Sequence, residues 1–380
     1  YIFKKNKNNN NSNYIKHNII LHYLMVIIYI ISIKSNYIEL TIPGPRISKV
    51  FYENINNSNC PYVIKPEEVY INNNNQSEIK SEYYLNESNN IIKLVYTNLE
   101  NMNCLFQSCS NITKIDFSNF NSSNARYMGA VFHSCKALTE INFFNFNTSK
   151  VTHMQWMFYN CIKLNTINLS NFDTSNVINI KAMFAQCTNL KNINLSNFDT
   201  SKINNFSQIF YGCEKLEFLD LSNFNTHILQ DTRYMFYNCK KLRYLNLSNF
   251  NVALVENMKS MFENCGALNS LNLSNFKTSN VNSTVYMFKN CKSLEYLDLS
   301  NFNTPQLTNI NNTFYNCKKL NYINISNLNT SLVVNMRYLF QNCESLVFLN
   351  LSNFQASNVK LISYMFKNCI KLVSLDLSNF

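Results

Sequence analysis

MFYNCKKLRYLNLSNFN, residues 235–251, returns with small changes down most of the chain. Cysteine stands at 109, 135, 161, 187, 213, 239, 265, 291, 317, 343 and 369, always 26 residues apart. Three residues before each cysteine is a Phe, from Phe106 to Phe366, and three after it is Ile112 or a Leu. Asn119, Asn145, Asn171 and their successors to Asn379 keep the same register, with no insertion or deletion between them. A fixed period of 20–50 residues is the mark of a repeat architecture.

Within the unit, Leu245-Asn246-Leu247 alternates apolar and polar, the period of a strand with one buried face. The remainder carries apolar residues at Val255, Met258, Met261, Phe262 and Cys265. Spacings of three and four predict a helical or 3₁₀ return segment. One strand and one return cannot close a core alone, whereas stacked copies can. At about 4.8 Å per strand, eleven coils make a parallel sheet roughly 50 Å long.

The L-x-x-[IL]-x-L core resembles a leucine-rich repeat. The longer pattern [ND]-L-S-N-F-[ND]-T-S-x-V…M-F-x-x-C-x-x-L resembles the BspA-like leucine-rich-repeat surface proteins, over residues 91–380. The resemblance implies an α/β repeat solenoid, a right-handed stack with one parallel β-sheet and helical or 3₁₀ returns. It also implies a secreted or surface-displayed protein serving adhesion and protein binding. One departure stands out. The Asn follows the last strand Leu by two residues (Leu247 to Asn249), not three.

The cysteine column invites a chemical explanation, but its spacing favours packing. Equivalent Cβ atoms on stacked coils stay near 5 Å apart, wider than the roughly 3.8 Å of a disulfide. Ligands strung in a line also do not converge on a tetrahedral metal. Buried free thiols acting as small hydrophobes are expected, and no metal or other cofactor. The stripe of Met157, Met183, Met235, Met261 and Met287 reads as soft core filling. Asn119 to Asn379 read as a turn ladder whose amides donate to one coil and accept from the next. Cys60 and Cys104 lie outside the column. They either bridge the leading segment to the first coil or remain free or separately paired.

No G-x-S-x-G, H-E-x-x-H or calcium loop appears, and 4 Gly leave no phosphate-binding loop. The chain is not expected to be an enzyme. The net charge is +11, but five lysines among the first 34 residues supply nearly half of it, and the rest are scattered. Nucleic-acid binders concentrate base in patches, so no nucleic-acid partner is expected.

Specificity then falls to positions that vary. The outward strand column holds five aromatics, Phe218, Tyr244, Tyr296, Tyr322 and Phe348. Beside it run Asp220, Asn246, Asp298, Asn324 and Asn350. Aromatics flanked by carboxylates and amides can hold an extracellular protein or glycan, or they merely shield the sheet.

A basic, polar lead followed by IILHYLMVIIYIIS, residues 19–32, has the layout of a secretory signal, so residues 1–35 read as a signal peptide or signal anchor. It provides the one membrane contact expected, apart from a missing anchor. Residues 36–90, with Pro43, Pro45, Pro61 and Pro66, read as an N-terminal cap, and 91–380 as about eleven repeats. The chain starts on Tyr1 and stops on Phe380 at the repeat position of Phe250, so a longer parent protein is expected. An intracellular scaffold of the same fold, or a spacer for a missing domain, are the alternatives.

Overall fold

The computed structural model describes residues 20–23, 36–53, 60 and 63–378. The segment read as a signal peptide or anchor lies outside the described residues except for a helical turn at 20–23.

The chain opens with antiparallel strands: β1 (Tyr37–Pro43), β2 (Arg46–Lys49), β3 (Glu68–Ile71), β4 (Asn74–Asn75), β5 (Glu82–Leu85) and β6 (Asn89–Val95). The solenoid contributes β7 (Lys114–Asp116) and β8 (Glu140–Asn142), then β9 (Phe218–Asp220) and β10 (Tyr244–Asn246). It ends with β11 (Tyr296–Asp298), β12 (Tyr322–Asn324), β13 (Phe348–Asn350) and β14 (Ser374–Asp376). One sheet runs β4-β3-β6-β1-β7-β8, so the leading segment and the first two coils share it. The other strand pairs of the solenoid are parallel with matched repeat positions, such as Leu219 opposite Leu245. The coils at 166–168, 192–194 and 270–272 have no strand. Two of them put Asn192 and Ser270 outward, residues that favour turns over strands.

β1 covers the exposed edge that a stack of coils would otherwise leave. It pairs antiparallel with β6 along its whole length and with β7 from Glu39↔Asp116 to Thr41↔Lys114. Its alternate residues Ile38, Leu40 and Ile42 are fully buried. β6 crosses residue 90, where the sequence pattern divides cap from solenoid. Leu40 sits between Ile92 and Ile115. Leu40→Asp should therefore cost several kcal/mol by burying an unpaired charge. It should also free the β7 edge for association between molecules. Light scattering should show a mass rising with concentration beyond that of the unaltered chain; identical mass and melting temperature would refute this role for β1.

The core is a set of columns. The Phe106-to-Phe366 rings form an unbroken stack, with neighbouring centroids 5.3 to 6.1 Å apart and planes within 15° of parallel. The methionine stripe is fully buried. The eleven repeat cysteines are free thiols, ten of them buried and Cys369 partly so. They also bond. Cys239 Sγ donates to the Phe210 carbonyl at 3.2 Å and Cys265 Sγ to that of Phe236 at 3.1 Å. The same bond ties each repeat cysteine from Cys135 to Cys369 to the coil before it. A small apolar side chain with one weak donor suits that place.

The return segments correct the expectation of helix. Residues 251–265 contain no helical or 3₁₀ residue. Their three-residue spacing comes from successive closed turns: Val255 N–H to Val252 O, Met261 N–H to Met258 O, Cys265 N–H to Phe262 O. Between these, every second N–H leaves for the next coil: Met258 to Ser283, Ser260 to Val285, Phe262 to Met287 and Asn264 to Lys289. Ser260 and Asn264 have φ of 55° and 65°, and this left-handed pair recurs in each coil. Asn tolerates that conformation better than most residues.

Asparagine and aspartate close the bends. In one coil the side-chain oxygens of Asn246, Asn251 and Asn257 accept the N–H groups of Ser248, Ala253 and Lys259 at 2.9 to 3.1 Å. These are Asx turns, which replace the Gly and Pro the sequence lacks. From Asn171 to Asn353, the Asn column does something narrower than expected. Its amides donate backward to backbone, as from Asn197 to the Leu169 and Phe172 carbonyls at 3.1 and 2.9 Å. An Asn-to-Asn ladder instead occupies the position before the cysteine in the later coils, with Asn264 Nδ2 donating to Asn238 and Asn290 to Asn264, both at 2.6 Å.

Candidate functional site

The strand alternation that buries Leu219 and Leu245 turns Phe218 and Tyr244 outward. Phe218, Tyr244, Tyr296, Tyr322 and Phe348 are each 45–54% exposed, large apolar areas for positions beside a continuous core. β9 and β10 set Phe218 directly opposite Tyr244. β11 and β12 do the same for Tyr296 and Tyr322, whose rings stack at 4.9 Å with planes 3° apart. Phe348 lies opposite Ser374, and Ser270 separates the two groups. Toward the N-terminal end the same column becomes a Lys114–Glu140 ion pair at 2.7 Å. The aromatic part is thus a rigid stripe several coils long, each ring held by the backbone beneath it.

The flanking column has another first duty. Asp220 Oδ1 accepts the Ser222 N–H at 2.8 Å, and Asp298 and Asn350 do the same for Ser300 and Ser352 at 2.8 Å. Asn246 and Asn324 hold Ser248 and Ser326 at 3.1 and 3.2 Å. The Ser222 backbone N–H and hydroxyl hold the Asp220 carboxyl below the usual carboxylate range, so it stays ionised. In Asp220 and Asp298 one carboxylate oxygen is committed to the turn, and in Asn246, Asn324 and Asn350 the only side-chain oxygen is, which leaves their amide nitrogens as donors.

Cys60 and Cys104 form a disulfide, with Cα atoms 6.1 Å apart, that joins the leading segment to the first coil. Among the described residues no group of His, Cys, Asp and Glu is arranged to hold a metal ion. No helix there is long and apolar enough to cross a membrane.

A second aromatic face escaped the sequence reading. It lies on the return segments, at positions two and five residues before each cysteine. Tyr211 stacks on Tyr237 at 4.7 Å and Tyr338 on Tyr364 at 5.4 Å. The Lys289 ammonium lies 4.6 Å from the Tyr286 ring centre, and Lys367 lies 5.1 Å from that of Tyr364. The signal was present in the recurrence of Trp156, Tyr234 and Tyr286 at one position. The two positions lie three residues apart, a spacing that a helix face and chained turns share.

No curated protein matches the sequence. Among solved structures, the chain is similar to a leucine-rich repeat protein from Eubacterium ventriosum ATCC 27560, at 16% identity and a TM-score of 0.36. That likeness covers 72% of this chain and 80% of the other. A second likeness is to the TLR13–ssRNA13 complex, at 20% identity and a TM-score of 0.30, covering 73% of this chain and 45% of that one. Likenesses this loose carry no inference about ligand. The sequence family is better defined, with overlapping matches at 73–167, 130–243, 161–269, 214–296 and 286–380. Together they span most of the repeats, and the chain belongs to the family described as "Mycoplasma protein of unknown function, DUF285".

Proposed function

We propose that the chain is a non-enzymatic binding protein, secreted or displayed at the cell surface, that presents the strand-face stripe to an extracellular protein or glycan in the manner of BspA-like adhesins. The observation that carries this is the stripe itself: five rings about half exposed, on a scaffold whose Phe, Met and Leu columns are buried. Contiguous exposed apolar surface marks interaction sites, and Tyr and Phe supply much contact area at little rotamer cost. The Cys60–Cys104 bridge supports the compartment, since such links persist where the surroundings oxidise. The apolar stretch at 19–32 then serves as the export signal. An intracellular scaffold of the same fold is favoured by one observation, the eleven unpaired thiols. Burial, however, protects ten of them in either compartment.

Treatment of intact producing cells with a non-penetrating protease separates the two locations. Loss of the repeat segment within minutes supports display. Complete protection, with cleavage only after lysis, overturns it in favour of the intracellular scaffold.

A further inference from the structure

On the return face, near the disulfide, the coils open into a cavity of about 400 Å³. Its floor exists because two side chains are small. Gly129 and Ala130 stand where the next coil carries Gln155 and Trp156, and where later coils carry Arg233 and Tyr234. A Cβ on Gly129 would lie 2.7 Å from Gln155 Nε2 and 3.0 Å from Asn103 Oδ1, so glycine is what lets Gln155 lie across this floor. The Cys60–Cys104 bridge forms one wall, and Trp156 packs against the small cluster it makes with Tyr52 and Ala130. The His133 and Tyr159 rings, stacked at 4.7 Å and 10° from parallel, line the cavity beside it.

Among the described residues the polar lining is uncharged: amides from Gln107, Gln155 and Gln208 sit on the first, third and fifth coils, and no Asp, Glu, Lys or Arg takes part. Burial pushes the His133 imidazole below its ordinary value, which keeps it neutral near pH 7. Gln155 Oε1 is buried and has no hydrogen-bond partner, an acceptor without a donor. Anionic and cationic ligands find no countercharge here. A molecule with an apolar face and hydroxyls around its rim meets every group present, and pyranose rings have that shape.

We propose that this cavity binds a short neutral saccharide, with one ring laid on Trp156 and its hydroxyls paired with the amides of Gln107, Gln155 and Gln208 that line it. The site lies on the return segments and does not depend on the strand-face stripe.

Trp156 is the one tryptophan in the chain, so its fluorescence reports this cavity alone. The full chain would be titrated with lactose, maltose, mannobiose and chitobiose, and with sialyllactose as a charged probe. At least one neutral disaccharide should give a saturable change in emission. Gln155→Leu, which keeps the bulk but removes the acceptor, should weaken that binding tenfold or more with an unchanged circular dichroism spectrum. The pair Phe218→Ala and Tyr244→Ala should leave it unaltered. A flat response to all four neutral sugars overturns the proposal, as does a response to sialyllactose alone. Undiminished affinity in the Gln155 variant overturns it too.

Discussion

Raising the pH through the range from about 8.5 to 10 should unfold the solenoid cooperatively. Ten repeat thiols, from Cys109 to Cys343, are fully buried. Loss of hydration pushes each one up, Cys187 to about 12 and the others in the same direction. Below the unfolded thiol value of about 8.5, both states keep their protons and pH has little effect. Above it, the unfolded chain releases protons that the folded chain retains, so stability falls as pH rises toward the folded values. Each thiol loses about 1.4 kcal/mol per pH unit, and ten of them about 14 kcal/mol one unit above the unfolded value. That matches the whole net stability of an ordinary domain, about 5–15 kcal/mol. Buried Tyr96, also pushed up by burial, adds to the loss with the same sign.

Far-UV circular dichroism against pH checks the transition. Iodoacetamide at pH 8 should modify Cys369 first and leave the other repeat thiols unmodified until denaturant is added. Replacing Cys213, Cys239 and Cys265 together by Ala should make stability fall less steeply with pH, whatever its effect at pH 7. A fold unchanged at pH 11 would show that the thiols are not sealed from water.

Phe236→Ala should carry the largest cost of any single truncation in the middle of the stack. Phe236 is fully buried between Phe210 and Phe262, with ring centres 5.9 and 5.6 Å away. Losing the ring costs about 3–5 kcal/mol through transfer and the void left behind. The two offset stacks add about 0.5–1.5 kcal/mol each. Coils touch only their neighbours, so the gap also uncouples the halves of the stack. Urea denaturation should show a lower midpoint and a broader or two-stage transition. Phe366, half-buried and stacked only on Phe340, should lose much less on the same substitution. Equal losses at the two positions would mean that the ring column does not transmit cooperativity.

The repeat length, the core columns and the outward strand column were all legible, because each is a side-chain pattern locked to a fixed period. What the pattern did not convey is backbone. Val255, Met258, Met261 and Cys265 have the spacing of a helix face, yet chained three-residue turns produce the same spacing. The difference lies in left-handed residues such as Trp156, Ala182 and Tyr286, whose types give no hint of that conformation. Asparagine suits turns in general, but which three bends of a coil it closes, those at Asn246, Asn251 and Asn257, needed the backbone path to be seen. The cysteine column was assigned to packing, whereas its hydrogen bonds to the preceding Phe carbonyls need the neighbouring coil in place to be seen. At the candidate site, the aromatic positions were legible from alternation alone. The commitment of Asp220 and Asp298 to their turns was not.

If ligand meets the strand-face stripe, removing its rings abolishes binding. Binding of the purified chain to arrayed extracellular-matrix proteins and glycans would be measured beside a variant with Ala at Phe218, Tyr244, Tyr296, Tyr322 and Phe348. All five side chains point to solvent, so the variant should keep its fold. Buried aromatic anchors contribute about 2 kcal/mol or more each to an interface. The strongest interaction of the unaltered chain should therefore weaken at least a hundredfold. Retention of that interaction at full affinity would rule out the stripe and move the binding surface elsewhere on the solenoid.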